Sequence, residues 1–307
     1  MNATPDDADV PRPVVVGLGE ILWDVFPSGP RFGGAPANFA CSAAGLGKNQ
    51  LKVYVASGVG RDPLGEAALN ALQEKSVAVT CVQQGERPTG QVQVELDEKG
   101  HATYEFAADA AWDHLRWTAD WASLAGLTDI VCFGTLGQRD SVSRQTIRRF
   151  VAATPSRALR IFDINLRPPF FSDEVILESL ELANVLKLND DELPQLARLC
   201  GLSGSPVELL RAIAERYQLR AAALTQGGDG ALLIRGDEIS QQPVETTTVV
   251  DTVGAGDAFT AALALGLFQQ RDLAEVNALG CKVAAFVCSQ AGATPVFPAA
   301  LAAFHRA

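Results

Sequence analysis

Short apolar runs and longer amphipathic stretches alternate along most of the chain. Buried strands are predicted by β-branched or apolar runs at residues 14–16, 53–55, 130–133, 161–164, 185–188 and 221–225. Helices are predicted by the amphipathic stretches at residues 37–46, 62–75, 141–153, 173–182 and 206–216. A chain that repeats strand and helix in this way favours a parallel sheet with helices packed on both faces.

The segment over residues 80–106 departs from this repetition. Apolar and polar positions alternate there with a period of two through residues 91–96 and 102–106, on either side of the turn-forming residues Glu98 to Gly100. The alternation predicts a β-hairpin with one polar face. A polar-faced hairpin inserted into an α/β fold is typical of a lid that covers a ligand.

No linker or internal repeat divides the rest of the chain. We therefore expect one domain over residues 14–307, into which lid segments at about 21–33 and 80–110 are inserted. Residues 20–32 mix aromatic and polar side chains with Pro and Gly, which predicts irregular strand and loop. Residues 1–13 are acidic and Pro-rich, and we expect them to form a disordered tail.

The charge and hydropathy of the chain limit its partners. The formal net charge is −11 at pH 7, and no block of five or six consecutive Lys or Arg occurs, which argues against nucleic acid or an anionic membrane as the main partner. No apolar run approaches the roughly 18 residues of a membrane span. The N-terminal residues lack the basic start and apolar stretch of a secretory signal, so we expect a cytoplasmic protein.

Six cysteines are spread along the sequence, and no two of them form a Cys-x-x-Cys pair. They lie mostly inside apolar segments, at positions 41, 81, 132, 200, 281 and 288. This pattern favours buried free thiols in a reducing compartment over a disulfide framework or a zinc site.

The strongest chemical signal is the segment Asp251–Phe259, which reads Asp-Thr-Val-Gly-Ala-Gly-Asp-Ala-Phe. It follows the strand-like residues 246–250 and precedes an apolar helix. The small residues Gly254 to Gly256 at a helix start let backbone N–H groups approach an anion closely. Asp257 in the first turn can accept a proton from an attacking hydroxyl, as a base does in phosphoryl transfer. An isolated Gly-x-Gly-Asp would more often be a turn with a helix cap.

A second glycine-rich segment, Gly33–Gly47, contains a small-residue helix. The paired Gly33 and Gly34 bring the backbone close to a small polar ligand, and Asn38 offers a donor and an acceptor to sugar hydroxyls. Taken alone, these glycines would be better explained by tight packing of the helix against the sheet.

Polar residues follow several of the apolar runs. Asp24, Asn165, Asn189, Thr225 and Asp251 each come just after such a run. Ligands of open α/β sheets bind at the carboxyl ends of the strands. These residues therefore predict one active site assembled from several strand ends.

Together these segments resemble the ribokinase-like PfkB carbohydrate kinases. Gly33–Gly47 is similar to the first signature of that family, and Asp251–Phe259 to the second. Asn189–Glu192 is similar to its Asn-x-x-Glu element, Leu224–Gly230 to its nucleotide-phosphate turn and Ala291–Ala293 to its last nucleotide loop. The resemblance covers nearly the whole chain. It implies a three-layer α/β sandwich, with a mostly parallel central sheet, helices on both faces and a small β lid.

The resemblance also implies roles for individual residues. Asp257 would be the catalytic base, and an anion hole would be formed by the amides of Gly254, Ala255 and Gly256. Sugar hydroxyls would be held by Asp24, Gly33, Gly34, Asn38 and Asn165. The ATP site would be lined by Asn189, Thr225, Gly227 and Gly230, with Glu192 reaching Mg²⁺ through water. A monovalent cation such as K⁺ would contact Asp251 and the carbonyl of Val253.

Three shorter segments look most like bacterial fructokinases. They are Gly19–Pro27, Ala111–Asp113 and Asn165–Pro169. The sequence Asp163-Ile164-Asn165-Leu166-Arg167 resembles one found both in fructokinases and in 2-keto-3-deoxygluconate kinases. Arg167 could stabilise charge on the transferring phosphoryl group, and the simpler alternative is a surface ion pair.

The acceptor sugar stays open at this stage. Fructose, converted to fructose 6-phosphate, is favoured, and the alternatives are 2-keto-3-deoxygluconate, ribose or a nucleoside. A keto acid needs a cation for its carboxylate, and residues 91–96 of the hairpin offer none. Trp23 and Phe106 could wall the sugar, although large aromatic residues more often belong to the core.

Two other classes of protein share parts of the pattern. A dinucleotide-dependent oxidoreductase would need a third glycine where Leu22 stands, after Gly17 and Gly19. No Walker motif occurs, because Lys48 is not followed by Ser or Thr and lacks the upstream glycine. A sugar-binding regulator of the same fold would be expected to lose Asp257 or the Gly-Ala-Gly turn, and this chain keeps both. The polar hairpin could also pair across a homodimer.

Overall fold

The computed structural model describes residues 11–96 and 102–302, without the side chains at positions 95, 96, 102 and 103. The tail expected at residues 1–13 lies mostly outside this part of the chain, and the turn expected at Glu98 to Gly100 lies wholly outside it. The described residues form two sheets, of nine and four strands, and the helices pack on the larger one.

The strands and helices are numbered in chain order. The strands are β1 (Val14–Leu18), β2 (Leu22–Phe26), β3 (Gly29–Gly33), β4 (Lys52–Gly60), β5 (Val82–Gly85), β6 (Gly90–Leu96), β7 (Ala102–Phe106), β8 (Ile130–Phe133), β9 (Leu159–Asp163), β10 (Val185–Asn189), β11 (Ala221–Thr225), β12 (Ala231–Arg235) and β13 (Glu238–Gln242). The helices are α1 (Ala35–Gly47), α2 (Pro63–Glu74), α3 (Ala119–Leu127), α4 (Ser141–Ala152), α5 (Asp173–Leu182), α6 (Glu192–Leu199), α7 (Pro206–Arg216), α8 (Ala255–Phe268) and α9 (Leu273–Cys288).

The nine-stranded sheet has the order β13-β12-β11-β10-β9-β8-β1-β4-β5. Every pair from β11 to β5 is parallel, and β12 and β13 add an antiparallel edge. Its central strands are buried on both sides, as in other parallel sheets covered by helices. In β1, Val15 belongs to the core beneath α1, α2, α8 and α9, while Val14 and Val16 belong to the core beneath α3 to α7. The three-layer α/β sandwich is therefore confirmed.

The small sheet has the order β3-β2-β6-β7. The predicted hairpin forms its β6 and β7, and residues 20–32, expected to be irregular, instead form a regular antiparallel pair. β2 and β6 pair in parallel and join the two hairpins. Residues 82–85 were expected to belong to the lid. They form β5 instead, which pairs with β4 at the edge of the large sheet.

The strand predicted at residues 246–250 is wrong, because this segment has no regular secondary structure and pairs with no strand. Its β-branched side chains favour a strand only where a pleated surface receives them. Val249 and Val250 are exposed instead, and the Val250 N–H donates to the carbonyl of Cys288 at the end of α9.

The prediction of free thiols is confirmed, since the six cysteines form no disulfide and all except Cys288 are buried. Among the described residues, no helix combines the length and the apolar character needed to cross a membrane.

Candidate active site

The carboxyl ends of the large sheet bring several predicted residues together. Asn189 and Thr225 are the last residues of β10 and β11 and stand opposite each other in the register of that pair. Asn165 follows the end of β9, next in the sheet. Two of the predicted residues do not follow the end of a strand in the large sheet. Asp24 lies within β2 of the small sheet, and Asp251 follows no strand.

The start of α8 is shaped to receive an anion. Gly254 precedes the helix with a φ of 78°, and a Cβ there would lie 2.5 Å from the carbonyl oxygen of Ala293, so only glycine fits. No side chain caps the helix, and the first N–H groups of a helix have no partner within it. Backbone donors and the positive end of the helix dipole therefore face the position just before Ala255.

Asp257 lies in the first turn of α8, as predicted. Its Oδ2 atom accepts a hydrogen bond of 2.9 Å from Nδ2 of Asn38 in α1. Burial and then the negative charge of Asp163 raise the pKa of Asp257 to about 6, against the Asn38 hydrogen bond and the positive charges of Lys187 and Arg167. A carboxylate with a pKa close to neutral is suited to accept a proton.

A buried ion pair between Asp163 and Lys187 contacts α8 near its start. Asp163, the last residue of β9, accepts from Nζ of Lys187 at 3.1 Å and from Oγ1 of Thr260 in α8 at 2.8 Å. The Thr260 hydroxyl also lies 2.9 Å from the carbonyl oxygen of Gly256. Two strands of the sheet are thus tied to the turn that carries Asp257.

Sequence reasoning missed Lys187, whose only signal is a lysine within the apolar run of β10. Burial alone would lower the pKa of Lys187, but the negative charges of Asp163, Glu192 and Asp257 outweigh it and raise the pKa. Its Nζ lies 3.2 Å from where a Cβ of Gly256 would be. A buried positive charge therefore lies beside Gly256 of the predicted anion hole.

The Asn-x-x-Glu element folds into a reciprocal hydrogen-bonded turn. The Asn189 N–H donates to Oε2 of Glu192 at 2.8 Å, and the Glu192 N–H donates to Oδ1 of Asn189 at 2.9 Å. Oε1 of Glu192 accepts from the N–H of Leu166 at 2.9 Å. The structure therefore places both side chains in a local framework at the ends of β9 and β10.

The residues around Glu192 fit a magnesium ion that arrives with a nucleotide. Each of its carboxylate oxygens accepts only one N–H and keeps a lone pair, and Mg²⁺ prefers such oxygens. No three His, Cys, Asp or Glu side chains in the described ranges cluster into a metal site of their own. Mg²⁺ usually takes only one or two carboxylates, together with water and substrate phosphates.

The turn after β11 carries the predicted nucleotide-phosphate glycines. Gly227 and Gly230 have positive φ values of 51° and 97°, and a Cβ on Gly230 would lie 2.0 Å from the carbonyl oxygen of Gln242. The Gln226 N–H donates to the Gly230 carbonyl at 2.8 Å and closes the turn. Thr225 ends the strand before it, so the predicted Thr-x-Gly turn opens at the carboxyl edge of the sheet.

Asp251 connects three parts of the molecule. Its oxygens accept from the N–H groups of Val253 at 3.0 Å and Gly292 at 3.2 Å, and its Oδ2 lies 3.6 Å from Nη1 of Arg31 in β3. A cation at Asp251 and the Val253 carbonyl stays a prediction. The contact with Arg31 links the second signature to the small sheet.

Asp24 and Phe106 share one face of the small sheet. In the register of the strands, Asp24 stands beside Arg31 on one side and Val92 on the other, and Phe106 stands beside Val92. Burial raises the pKa of Asp24, while the positive charges of Arg167 and Arg31 oppose the rise. Phe106 meets Phe170 edge to face at 5.1 Å between ring centroids.

Trp23 lies on the face of β2 opposite to Asp24. The prediction that Trp23 and Phe106 wall the same sugar is therefore wrong. Successive side chains of a strand point to opposite faces, and Trp23 adjoins Asp24. Its ring packs edge to face against Phe32, and its indole N–H donates to the carbonyl of Leu64 at 3.0 Å.

The paired glycines of the first signature lie between the two sheets. A Cβ on Gly33 would lie 3.1 Å from Oδ2 of Asp24, and one on Gly34 would lie 2.7 Å from the carbonyl oxygen of Glu20. Asn38 was predicted to hold sugar hydroxyls, but its Nδ2 donates to Asp257. Its buried Oδ1 has no partner in the described structure.

Arg167 is exposed beside this group of carboxylates. Its Nη1 donates to the carbonyl of Leu166 at 3.1 Å, and no carboxylate pairs with it among the described residues. Its charge nevertheless lowers the pKa of Glu20, Asp24 and Asp257. The alternative of a surface ion pair is therefore not what the structure contains.

Comparison with known proteins identifies the family of the chain. The family model described as pfkB family carbohydrate kinase matches residues 29–300. The fructokinase of Salmonella typhimurium is 31% identical over 263 residues, which cover 81% of this chain and 83% of that protein.

Solved structures share the fold. The sugar kinase of Pyrococcus horikoshii in complex with ATP is 26% identical, with a TM-score of 0.77, and the match covers 92% of this chain and 94% of that one. The 2-dehydro-3-deoxygluconokinase of Thermotoga maritima has a TM-score of 0.80 over 93% of this chain and 96% of that one, and at 18% identity this likeness concerns the fold alone. The match over residues 29–300, with both signatures in place, means that the chain belongs to the pfkB family of carbohydrate kinases.

Proposed function

We propose that the protein transfers the γ-phosphoryl group of ATP to a hydroxyl of a monosaccharide, and that it prefers fructose, forming fructose 6-phosphate. The observation that carries the proposal is Asp257, a carboxylate with a pKa of about 6 beside the uncapped amides of α8. A base and an anion-binding helix start at one place are what phosphoryl transfer to a hydroxyl requires.

In this reaction Asp257 accepts the proton of the attacking sugar hydroxyl. The amides of Gly254, Ala255 and Gly256 stabilise charge on the transferring group, and Lys187 adds a positive charge beside Gly256. Arg167, whose guanidinium has no carboxylate partner in the described structure, would reach the phosphoryl oxygens from the solvent side. Bound Mg²⁺ would neutralise charge on the ATP phosphates, and Glu192 would hold it through water.

The nucleotide would lie along the carboxyl ends of β10 and β11. Asn189, Thr225, Gly227 and Gly230 border this edge, and exposed valines at positions 249, 250, 253 and 296, in the segments before α8 and after α9, are available as apolar surface. An adenine ring needs such a surface, while its phosphates need the amides of α8. A monovalent cation at Asp251 and the Val253 carbonyl would add charge at the same edge.

The charges near Asp24 favour a neutral sugar over a keto acid. A carboxylate can accept two sugar hydroxyls in charge-assisted hydrogen bonds. The neighbouring arginines are already engaged: Arg31 with Asp251, Arg61 with Glu86 and Arg87 with Asp109. A substrate carboxylate would therefore have to break one of these pairs or take Arg167 from the phosphoryl group.

ATP consumption tests the proposal directly. The purified protein with Mg²⁺ is assayed with no sugar, fructose, 2-keto-3-deoxygluconate, ribose and a nucleoside, and kcat/KM is compared. We expect fructose to give the highest value. A higher value for the keto acid would overturn the choice of sugar, and no stimulation by any of these acceptors would overturn the proposed kinase reaction on them.

Two further expectations remain proposals. The small sheet ends at β3 and β7, and an open strand edge can pair with a second copy. Size-exclusion chromatography coupled to light scattering would show a dimer, and a monomer at assay concentration would exclude it. A cytoplasmic location agrees with the six free thiols, and fractionation of cells tests it.

A further inference from the structure

The carboxyl group of Glu20 is buried beside the base without a full set of partners. Glu20 follows β1 and is 3% exposed, and its Oε2 atom has no hydrogen-bond partner among the described residues. The backbone N–H groups of Glu20 and Ala35 lie near enough to lower its pKa. A Cβ on Gly137 would lie 3.2 Å from Oε2, so a glycine there leaves room for the carboxyl group. Sequence reasoning gave Glu20 no role.

Glu20 and Asp257 line the same small cavity. The cavity also meets Asp163, Asn165 and Thr135, and its volume is about 10 Å³. This is close to the smallest volume that holds one water molecule, and a buried water needs polar partners such as these. A water between two carboxyl groups would supply the partner that Oε2 lacks.

We propose that Glu20 is a positioning residue that acts through Asp257, accepting by way of one water in this cavity the proton that Asp257 removes from the sugar hydroxyl. The proposal rests on the proposed kinase reaction. Asp257 becomes a carboxylic acid when the sugar oxygen bonds to phosphorus. The water takes the proton from Asp257 and gives another to Glu20, so Asp257 is a carboxylate again. Glu20 releases its proton to solvent after the product leaves.

The charges around the cavity agree with such a transfer. Burial raises the pKa of Glu20 to about 7, the negative charge of Asp257 contributes, and Arg167 opposes the rise. Asp163 also lines the cavity, and the Cys132 thiol there keeps its proton because burial raises its pKa well above the usual value. Burial likewise raises the pKa of Asp257, so both carboxyl groups can exchange a proton near neutral pH.

The alternative is a purely structural role at the start of α1. Gly34 offers that helix no side-chain cap, and the Glu20 carboxyl lies close to the Ala35 N–H. An acidic group at a helix start stabilises the helix. Loss of such a group would lower stability and remove a charge near Asp257, but it would leave the plateau of kcat/KM unchanged.

The experiment is the pH profile of kcat/KM for the sugar, which reports ionisations of the free enzyme. If Asp257 and Glu20 must both be ionised, activity of the wild-type protein below pH 6 falls more steeply than the tenfold per pH unit of a single group. In Glu20→Gln we expect a plateau at least about tenfold lower and a single ionisation, shifted to lower pH because one negative charge near Asp257 is gone.

Asp62→Asn is the matched control. Asp62 caps α2, where it accepts from the N–H of Gly65 at 2.7 Å, and it does not line the cavity. This variant should lose stability and keep the wild-type profile. A wild-type profile with one ionisation, or a Glu20→Gln protein with an unchanged plateau, would overturn the proposal. If Glu20→Gln does not fold, the slope of the wild-type profile decides. Absence of sugar phosphorylation at every pH would instead refute the kinase reaction.

Discussion

Asp257 and Asp24 stand on supports of different construction. Asp257 is carried by a helix that is buried along most of its length and tied to two strands through Asp163, Lys187 and Thr260. Asp24 is carried by β2, a strand of the four-stranded sheet. The residues of β2 are mostly half-buried. Fixed supports suit groups that must meet a transition state, whereas a thin sheet can adjust to a substrate. We therefore expect changes on the first support to act on kcat and changes on the second to act on KM.

The largest effect is expected for Asp257→Asn. The amide keeps the shape of the side chain but cannot accept the sugar proton, so kcat should fall by about two to four orders of magnitude. Sugar and ATP binding, measured by calorimetry, should persist. Asp173→Asn is the control, because Asp173 occupies the first turn of α5 and has none of the predicted roles. Retention of more than a tenth of wild-type turnover would show that Asp257 is not the base.

Gly256→Val should raise the barrier by roughly 2.7–4 kcal/mol, the scale for losing one oxyanion-type donor. A Cβ there would lie 3.2 Å from Nζ of Lys187, so the valine side chain crowds the start of α8 and displaces the positive charge that lies beside Gly256. Gly126→Val in α3 is the control, since nothing lies within 4 Å of its Cβ position. Wild-type kinetics in a correctly folded Gly256→Val protein would remove the anion hole from the mechanism.

Asp24→Ala should raise the KM for fructose at least about tenfold, near 1.4 kcal/mol, and leave the KM for ATP almost unchanged. The reason is the loss of charge-assisted hydrogen bonds to sugar hydroxyls. Gln93→Ala changes an exposed position of β6 in the same sheet and should have wild-type constants. An unchanged fructose KM in Asp24→Ala would mean that the sugar does not bind on this face.

The smallest effect is expected for Arg31→Gln. The pair of Arg31 with Asp251 is half-exposed and long, so its loss should cost less than about 1 kcal/mol. Because the positive charge of Arg31 lowers the pKa of Asp24, its removal raises that pKa, and the rise in fructose KM should grow as the pH falls. Arg61→Gln, which breaks the exposed pair with Glu86, is the control. Equal effects of the two substitutions at all pH values would show that Arg31 does not act on Asp24.

Local pattern was sufficient for the elements of the large sheet. The helices predicted at 173–182 and 206–216 and the strand at 221–225 have the bounds seen in the structure. Each has a strong period or a clear start, such as the Ser205 capping box before α7. Asn189 and Thr225 were placed correctly for the same reason, since a polar residue that ends an apolar strand must lie at its carboxyl edge.

The remaining features depend on partners that are distant in sequence. Residues 246–250 have the composition of a strand but find no neighbour, and Trp23 points away from Asp24 because the two are consecutive in β2, a regular strand that the sequence pattern did not predict. Lys187 and Glu20 become functional candidates only when the fold brings them to the start of α8. The only sequence signal for either residue was a charged side chain in or just after a buried strand. This signal does not by itself indicate a function.

The small sheet also has a consequence for how new substrates arise. Its strands come from two excursions of the chain, one between β1 and α1 and the other between β5 and α3. Mutation or exchange of these excursions would alter the surface that reads the acceptor while the phosphate-handling half is inherited intact. Divergence of substrate range, in nature or in a directed-evolution library, should therefore concentrate in these two inserts.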